Sequence, residues 1–235
     1  MAAAWYNQSN MAEKPTDSKP KHAPEHANSD LLSSIKLYVR AGARQIAGML
    51  HRATAGKITP DFITIFGLLM HVPIAWLIAM EHNLWAAALL IVFGLFDTLD
   101  GELARLQQKA SARGMLLDAS TDRMKEVMLY TGAAYALAAS AHPKMAVWAA
   151  AACGASVCVS YVKAKGEAAV AAGGKNIPHA VLNRMFSDGI LTFEIRMAVL
   201  AAGLLFDHLL WAIMVIAVLA SFTALQRLVR ISKQL

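Results

Sequence analysis

The sequence predicts an all-α integral membrane protein with six transmembrane helices, preceded by an amphipathic helix at the membrane interface. Three observations lead to this fold class. Hydrophobic residues make up 57% of the chain and charged residues only 16%, and so few charges do not easily cover a soluble protein of this size. Six apolar segments have the roughly 20 residues that a membrane-spanning helix needs. The connections between them are alternately free of basic residues and rich in them.

Two segments precede the predicted membrane domain. Residues 1–30 are polar and contain three prolines, which predicts a disordered cytoplasmic tail and not a signal peptide. In residues 31–56, apolar residues recur at helical spacing while lysine and arginine punctuate the other side. This pattern predicts an amphipathic juxtamembrane helix on the inner leaflet, with an ordinary solvent-facing helix as the alternative.

Residues 57–235 form the predicted membrane domain. We expect its six spans near 61–80, 84–104, 115–139, 144–165, 189–206 and 209–230. The length of these runs indicates helices and not the strands of a barrel. Apart from Lys144, the basic residues collect on one side of the alternation, and the positive-inside rule then places both termini and the stretch 96–123 in the cytoplasm. We therefore expect a multi-pass protein of the cell (inner) membrane.

The net charge of +6 indicates anionic lipid or phosphate ligands before nucleic acid, since basic loops are the usual source of positive charge in a membrane protein. We expect membrane lipids as partners and no nucleic acid. Cys153 and Cys158 lie in one apolar run and are interpreted as small packing residues, not as a disulfide or metal pair.

The stretch 96–123 is highly charged although it lies between two apolar segments. Four of its acids form two close pairs: Asp97 with Asp100, and Asp118 with Asp122. Spacings of three and four residues bring side chains to one face of a helix. Gly101, Ala104 and Gly114 share these faces, and such small residues let a ligand or a second backbone approach closely.

Four carboxylates at membrane depth need compensating cations, because like charges repel and desolvation is costly. All-oxygen ligation suits Mg²⁺, Mn²⁺ or Ca²⁺, and two such ions about 4 Å apart form a clamp for displacement at phosphorus. Structural salt bridges to Arg105, Arg113 and Arg123 are an equally good interpretation of the spacing alone. A proton relay in a transporter is a third one.

The pattern Asp97-x2-Asp100-Gly101-x2-Ala104-Arg105-x8-Gly114-x3-Asp118-x3-Asp122 resembles the full signature of the CDP-alcohol phosphotransferases. It falls between the second and third predicted spans, where that family has it. The resemblance implies six spans, dependence on a divalent metal and a homodimer. It also implies the reaction, in which the phospho-alcohol part of a CDP-alcohol moves to a second alcohol and CMP is released.

The resemblance implies roles for individual residues. Asp97, Asp100, Asp118 and Asp122 would be ligands of Mg²⁺ or Mn²⁺, with two ions bound, and Asp122 would also be the general base. The CDP moiety would be contacted by residues of the signature and of the preceding stretch "TPDFIT": Asp61, Phe62, Ile63, Thr64, Asp100, Gly101, Ala104, Arg105, Ser111 and Gly114. Taken alone, "TPDFIT" predicts a helix start, with Thr59 as the cap and Pro60 in the first turn.

The acceptor alcohol is indicated by other stretches. "SYVKAKGEA" at 160–168 and "LQRL" at 225–228 resemble segments of the prokaryotic phosphatidylinositol-phosphate synthases and their archaeal relatives. The resemblance implies that Lys163, Arg196 and Arg227 contact a phosphate on the acceptor. The chain departs from the family around Arg196, where it has "TFEIRM" in place of an arginine-rich run. Anchoring of lysine side chains at the membrane interface is the alternative for the fourth span.

The sequence therefore predicts a phosphatidyltransferase that uses a CDP-diacylglycerol-like donor and, as acceptor, inositol phosphate or another phosphorylated alcohol. The enzymatic alternative is phosphatidylglycerophosphate synthase, which would use glycerol 3-phosphate. An ion-coupled membrane transporter is the alternative from another class. It would spread its carboxylates along several spans near mid-membrane, whereas here they concentrate at one cytoplasmic edge.

Overall fold

The computed structural model describes residues 27–173 and 191–233, and every regular element in these ranges is helical. In chain order the elements are α1 Ala27–Ala53, α2 Pro60–Ala79, α3 Asn83–Gly94, α4 Phe96–Leu106, α5 Ala112–Ala139, a 3₁₀ turn Pro143–Ala146, α6 Val147–Ala172, α7 Phe193–Leu205 and α8 Leu209–Ser232. The described residues fall into two units, with the boundary between Lys36 and Leu37. All contacts given below lie within the second unit.

Within the described ranges, four helices are long and apolar enough to cross a membrane: Pro60–Ala79, Asn83–Leu106, Pro143–Ala172 and Leu209–Ser232. They match the first, second, fourth and sixth predicted spans. The predicted third span lies in α5, whose amino-terminal half carries many charges, and the fifth contains α7, which has only 13 residues. Residues 189–190 lie outside the described part of the chain. Four of the six predicted spans are therefore observed as candidate membrane-spanning helices, and the six-span arrangement stays a prediction.

The predicted span 84–104 is interrupted. α3 ends at Gly94 and α4 begins at Phe96. Between them, the Leu95 N–H donates to Val92 O at 3.2 Å, a tight bond to the third preceding residue in place of the fourth. The break separates an apolar helix from the polar helix that carries Asp97 and Asp100.

The predicted juxtamembrane helix 31–56 is observed as α1, which begins at Ala27 and ends at Ala53. Its buried residues from position 37 onward are small, Ala43 and Ala47, and Ala47 packs in a minor core with Ile63, Leu99 and Leu103. Several large apolar side chains of α1 are exposed instead: Leu37, Tyr38, Ile46 and Met49. The location of α1 at the membrane interface stays a prediction. Residues 1–26 of the predicted tail lie outside the described part of the chain, and residues 27–30 belong to α1.

The starts of α2 and α5 are fixed by side-chain caps. Thr59 Oγ1 accepts from the Phe62 N–H at 3.2 Å, and Pro60 is the first residue of α2, so the predicted helix start is confirmed. Ser111 Oγ accepts from the Gly114 N–H at 3.1 Å at the start of α5. Both helices thus begin with a defined geometry at the cavity described below.

The main core lies among α2, α3 and α5 to α8, where Ile74, Leu129 and Ile213 are fully buried. Gly132 lets α5 approach α2, because a Cβ at this position would collide with the Ala75 carbonyl. Helix α2 contacts both α4 and α5. It therefore holds the two helices that carry the aspartate pairs.

Candidate active site

A cavity of about 260 Å³ lies between the start of α2, α4 and the start of α5. We call it the Asp cavity. Three of the four predicted metal ligands and most of the predicted CDP contacts line it: Asp61, Thr64, Asp97, Asp100, Gly101, Ala104, Arg105, Ser111, Gly114 and Asp118. The remaining lining residues are Pro60, Lys109, Ala110 and Met115. The structure thus brings residues from three separate stretches of the sequence to one space.

The cavity depends on the two faces of α4. Residues at spacings of three, four and seven from Asp97 line the cavity, as the helical period requires. Leu99 and Leu103 on the opposite face are buried in the minor core. Burial of these two leucines orients the polar face, so the apolar residues within the signature also contribute to the site.

Phe62 and Ile63 do not reach the Asp cavity. The Phe62 side chain is 57% exposed and stacks on Phe66, with ring centroids 6.2 Å apart. The Ile63 side chain is buried in the minor core. Of the "TPDFIT" side chains predicted to contact CDP, the structure therefore brings Asp61 and Thr64 to the cavity and directs the two apolar ones elsewhere.

Asp100 is the most enclosed of the four aspartates, with 5% of its surface exposed. The Thr64 hydroxyl lies 2.5 Å from Asp100 Oδ2, to which it donates, and 3.1 Å from Pro60 O. Because Thr64 comes from α2 and Asp100 from α4, this bond fixes the carboxylate relative to a second helix. Asp118, on α5, is exposed.

Asp122 does not line the Asp cavity; it contacts Lys125 and Arg123 instead. Lys125 Nζ lies 3.4 Å from Asp122 Oδ1 and forms a closer ion pair with Asp97 Oδ1. The Lys125 side chain is fully buried. We did not predict this lysine, although its position three residues after Asp122 and seven after Asp118 places it on the same face of α5.

The arginines predicted to form structural salt bridges pair mainly with other acids. Arg105 lies 2.7 Å from Glu102, and Arg113 lies 3.8 Å from Asp61. Among these arginines, only Arg123 forms an ion pair with a signature aspartate in the described residues, at 3.7 Å from Asp122. Salt bridges therefore account for part of the charge in 96–123, and the cavity keeps several carboxylates facing open space.

Glu102 was also missed by sequence reasoning. Only 4% of its side chain is exposed, and it accepts from Arg105 at 2.7 Å and from Arg44 of α1 at 3.3 Å. The carboxylate thereby links α1 to the arginine at the cavity. The signature leaves this position variable, so its pattern gave no signal.

The three predicted acceptor residues, all in the described part of the chain, do not line the Asp cavity. Lys163 Nζ lies 4.0 Å from Glu167 on the next turn of α6. Arg227 of α8 is buried and donates to the Val159 carbonyl of α6 at 3.1 Å. Lys163 and the Arg227 contact therefore lie within about one turn of each other on α6.

Arg196 is buried and donates hydrogen bonds to a carboxylate and to a carbonyl. Its Nε and one terminal nitrogen donate to Glu126 at 2.6 and 3.2 Å, and the other terminal nitrogen donates to Leu191 O at 2.8 Å. Arg123 adds a second cation, 2.9 Å from Glu126. We call Arg123, Glu126, Arg196 and the Leu191 carbonyl the Arg196 cluster. Arg196 and Glu126 are each no more than 1% exposed.

The donor set of the four aspartates fits a hard divalent cation, since all four are carboxylates and they come from two helices that meet at one cavity. In the described ranges, however, no three acidic, histidine or cysteine side chains converge closely enough to hold a metal ion as they stand. Lys125 lies between Asp97 and Asp122 and keeps these two carboxylates paired with an ammonium group.

Comparison with known proteins agrees with this geometry. Residues 57–223 match the sequence model of the family described as CDP-alcohol phosphatidyltransferase. The phosphatidylinositol phosphate synthase of Corynebacterium glutamicum is 32% identical over 183 residues, which cover 75% of this chain and 79% of that protein. The archaetidylinositol phosphate synthase of Pyrococcus horikoshii is 33% identical over 104 residues, or 44% of this chain and 54% of that protein.

Two solved structures of a Mycobacterium tuberculosis phosphatidylinositol phosphate synthase are similar to the chain at 25% identity. The structure with CDP-DAG bound has a TM-score of 0.67 and covers 80% of this chain and 92% of that one. The structure with manganese and citrate has a TM-score of 0.68 and covers 81% and 88%. The family match extends over the Asp cavity and most of the helices around it, and the chain belongs to the CDP-alcohol phosphatidyltransferase family of membrane enzymes.

Proposed function

We propose that the protein transfers the phosphatidyl group of CDP-diacylglycerol to inositol phosphate, forming phosphatidylinositol phosphate and releasing CMP. The Asp cavity carries this proposal, because it gathers signature aspartates, an arginine and two glycines around one space. The relatives named as phosphatidylinositol phosphate synthases support the acceptor, and the similar structure with CDP-DAG bound supports the donor.

We propose that Asp97, Asp100, Asp118 and Asp122 hold Mg²⁺ or Mn²⁺, with room for two ions. Bound divalent ions would neutralise phosphate charge and stabilise the charge that develops on the phosphoryl oxygens. The all-carboxylate donor set supports this assignment, as does the manganese in the similar structure from Mycobacterium tuberculosis.

The CDP head group would lie in the Asp cavity. Arg105 is 59% exposed on its side chain and keeps donors free of its single contact with Glu102, so it can donate to diphosphate oxygens. A Cβ on Gly101 or Gly114 would meet its nearest neighbour at 3.7 or 3.5 Å, so packing against the protein does not require glycine. Glycine at these positions therefore enlarges the space for the nucleotide.

Asp122 would take the proton of the acceptor hydroxyl. The hydroxyl oxygen forms a bond to the phosphorus that carries diacylglycerol, and the bond from that phosphorus to the bridging oxygen of CMP breaks. CMP leaves with that oxygen, and the proton passes from Asp122 to solvent. The phosphate of inositol phosphate would contact Lys163, Arg196 and Arg227.

We propose six spans, with both termini and the Asp cavity at the cytoplasmic face of the cell membrane, and a homodimer. The distribution of lysine and arginine supports this orientation. The exposed apolar residues of α1 support its location at the interface, because no described part of the protein covers them.

The proposal is tested by offering purified protein CDP-diacylglycerol and Mg²⁺ with either inositol 1-phosphate or glycerol 3-phosphate. We expect phosphatidylinositol phosphate and stoichiometric CMP with the first acceptor and background levels with the second, with products identified by mass spectrometry. Phosphatidylglycerophosphate as the main product would overturn the acceptor. An absence of CMP release with both acceptors, in Mg²⁺ and in Mn²⁺, would overturn the proposed transfer.

A further inference from the structure

Lys125 is a buried charge to which the proposed reaction gives no role. Its side chain is fully buried, and its ammonium group contacts one carboxylate of α4 and one of α5, Asp97 and Asp122. A buried ammonium requires such partners, because desolvation of an unpaired charge is costly. The pairing also uses oxygen atoms of two of the four proposed metal ligands.

The two carboxylates that Lys125 contacts lie differently with respect to the Asp cavity. Asp97 lines the cavity and Asp122 does not. The ammonium group lies between them, bonded to both. A divalent ion bound by both carboxylates would therefore lie close to the ammonium, and like charges at such distances repel strongly where water is excluded.

We propose that Lys125 is a resident counter-ion that competes with divalent metal for Asp97 and Asp122. The ammonium group holds these two carboxylates together when metal is not bound there, and an ion that binds both must displace it. Lys125 would thus be a positioning residue that weakens metal binding at this end of the site and makes Asp122 available only when metal is loaded. The inference rests on the proposed metal site.

The experiment measures Mn²⁺ binding to the purified full-length protein in detergent, without substrates, by isothermal titration calorimetry and by the electron paramagnetic resonance signal of free Mn²⁺. Lys125→Gln removes the charge and keeps a side chain that can donate to a carboxylate. We expect Lys125→Gln to bind Mn²⁺ at least about tenfold more tightly, or to bind an additional ion, because the competing charge is gone. Lys125→Arg keeps the charge and should bind like the wild type.

Lys109→Gln is the matched control. Lys109 is an exposed lysine that lines the same cavity, so this change removes the same charge without removing a bond to Asp97 or Asp122. Equal tightening in Lys109→Gln and Lys125→Gln would overturn the inference, because it would reflect the net charge of the cavity alone. Lys125→Met keeps the aliphatic stem and serves as a second variant should the glutamine variant not fold.

A second readout separates competition from a purely structural role. Because Lys125→Gln leaves carboxylates without their cation, we expect it to lower the Tm in chelator and to raise the Tm gain on adding Mn²⁺ above that of the wild type. Loss of Mn²⁺ affinity in the variant would contradict the inference. If the wild type binds Mn²⁺ and Lys125→Gln gives the same isotherm, the proposed role of Lys125 is overturned while the metal site stands. No Mn²⁺ binding by either protein would overturn the metal site together with this inference.

Discussion

The Asp cavity and the Arg196 cluster both concentrate charge within the helical domain, but they neutralise it differently. In the Asp cavity, carboxylates of α4 and α5 face open space, and Asp118 is exposed. In the Arg196 cluster, Glu126 and Arg196 exclude water and form a two-point ion pair, with Arg123 as a second cation. The cavity therefore has capacity for a cationic or phosphate-bearing ligand, whereas the buried carboxylate of the cluster is already paired with two cations of the protein.

The two sites therefore have different tasks, ligand binding and the joining of helices, which a sequence signature cannot distinguish. The residues around the Asp cavity are arranged for a ligand that brings its own charge. The Arg196 cluster ties α5 to α7 and to Leu191, which lies two residues before the start of α7. If Arg196 binds the acceptor as proposed, it must do so while it also holds these helices together.

The largest effect is expected in the Arg196 cluster. Glu126→Ala leaves the buried Arg196 guanidinium without its carboxylate, which should lower the free energy of unfolding by about 3–5 kcal/mol. The measurement is thermal unfolding in detergent. Glu167→Ala is the matched control, because its contact with Lys163 is longer and partly exposed, and such a pair contributes at most about 1 kcal/mol. A stable Glu126→Ala protein would contradict the account of the cluster.

The double variant Glu126→Met with Arg196→Met sharpens this test, because it removes both buried charges together. We expect much of the stability to return, since well-packed apolar residues often replace a buried ion pair without loss. If Arg196 also binds the acceptor, as proposed, the KM for inositol phosphate should rise about tenfold, because one charge-assisted hydrogen bond is lost. An unchanged KM in the stable double variant would assign Arg196 to packing alone.

A smaller effect on stability, but a clear one on binding, is expected at the Asp cavity. Arg105→Gln should raise the KM for CDP-diacylglycerol about tenfold or more, because a charge-assisted hydrogen bond to phosphate contributes about 1.5–3 kcal/mol. Its Tm should fall only slightly, since glutamine can still donate to the buried Glu102 carboxylate and Arg44 remains its cation. Arg113→Gln is the control, as Arg113 is more exposed and does not line the cavity. Equal KM values in the two variants would contradict a specific role of Arg105.

The smallest effect is expected from Thr64→Val, which keeps the shape of the side chain and removes the donor to Asp100. Loss of one hydrogen bond to a buried carboxylate should lower Mn²⁺ affinity by about tenfold, in the range seen for groups that orient metal ligands. Thr64→Ser retains the hydroxyl and should bind Mn²⁺ like the wild type. Mn²⁺ titration compares the three proteins, and equal affinities would show that Thr64 does not position Asp100.

Much of the Asp cavity could be predicted from the sequence, because it is formed largely by residues that are close to one another along the chain. Spacings of three and four residues place Asp97 with Asp100 on one helix face, and a short connection makes α4 and α5 neighbours in sequence. "TPDFIT" predicted the start of α2, and the family resemblance implied that this stretch contacts the nucleotide. The interruption at Leu95 was not predicted, because no proline or charged residue marks it and the run 84–104 is apolar up to Phe96.

The Arg196 cluster and Lys125 could not be predicted in the same way. The partner of Arg196 lies 70 residues away in the sequence, so only the packing of α5 against α7 reveals the ion pair. Lys125 stands on the predicted face of α5, but its contact with Asp97 crosses to α4. Periodicity assigns a residue to a face of its own helix and says nothing about the partner on the next helix.

The most direct test of the central claim, that the Asp cavity is the catalytic centre and Asp122 its base, compares turnover and donor binding in Asp122→Asn. With CDP-diacylglycerol, Mg²⁺ and inositol 1-phosphate, we expect CMP release to fall by about a thousandfold, the typical contribution of a positioned base. The Kd for CDP-diacylglycerol, measured without acceptor, should stay within about threefold of the wild type, since the three proposed metal ligands that line the cavity remain and asparagine keeps an oxygen in place of the fourth. CMP release near the wild-type rate in this variant would contradict the account.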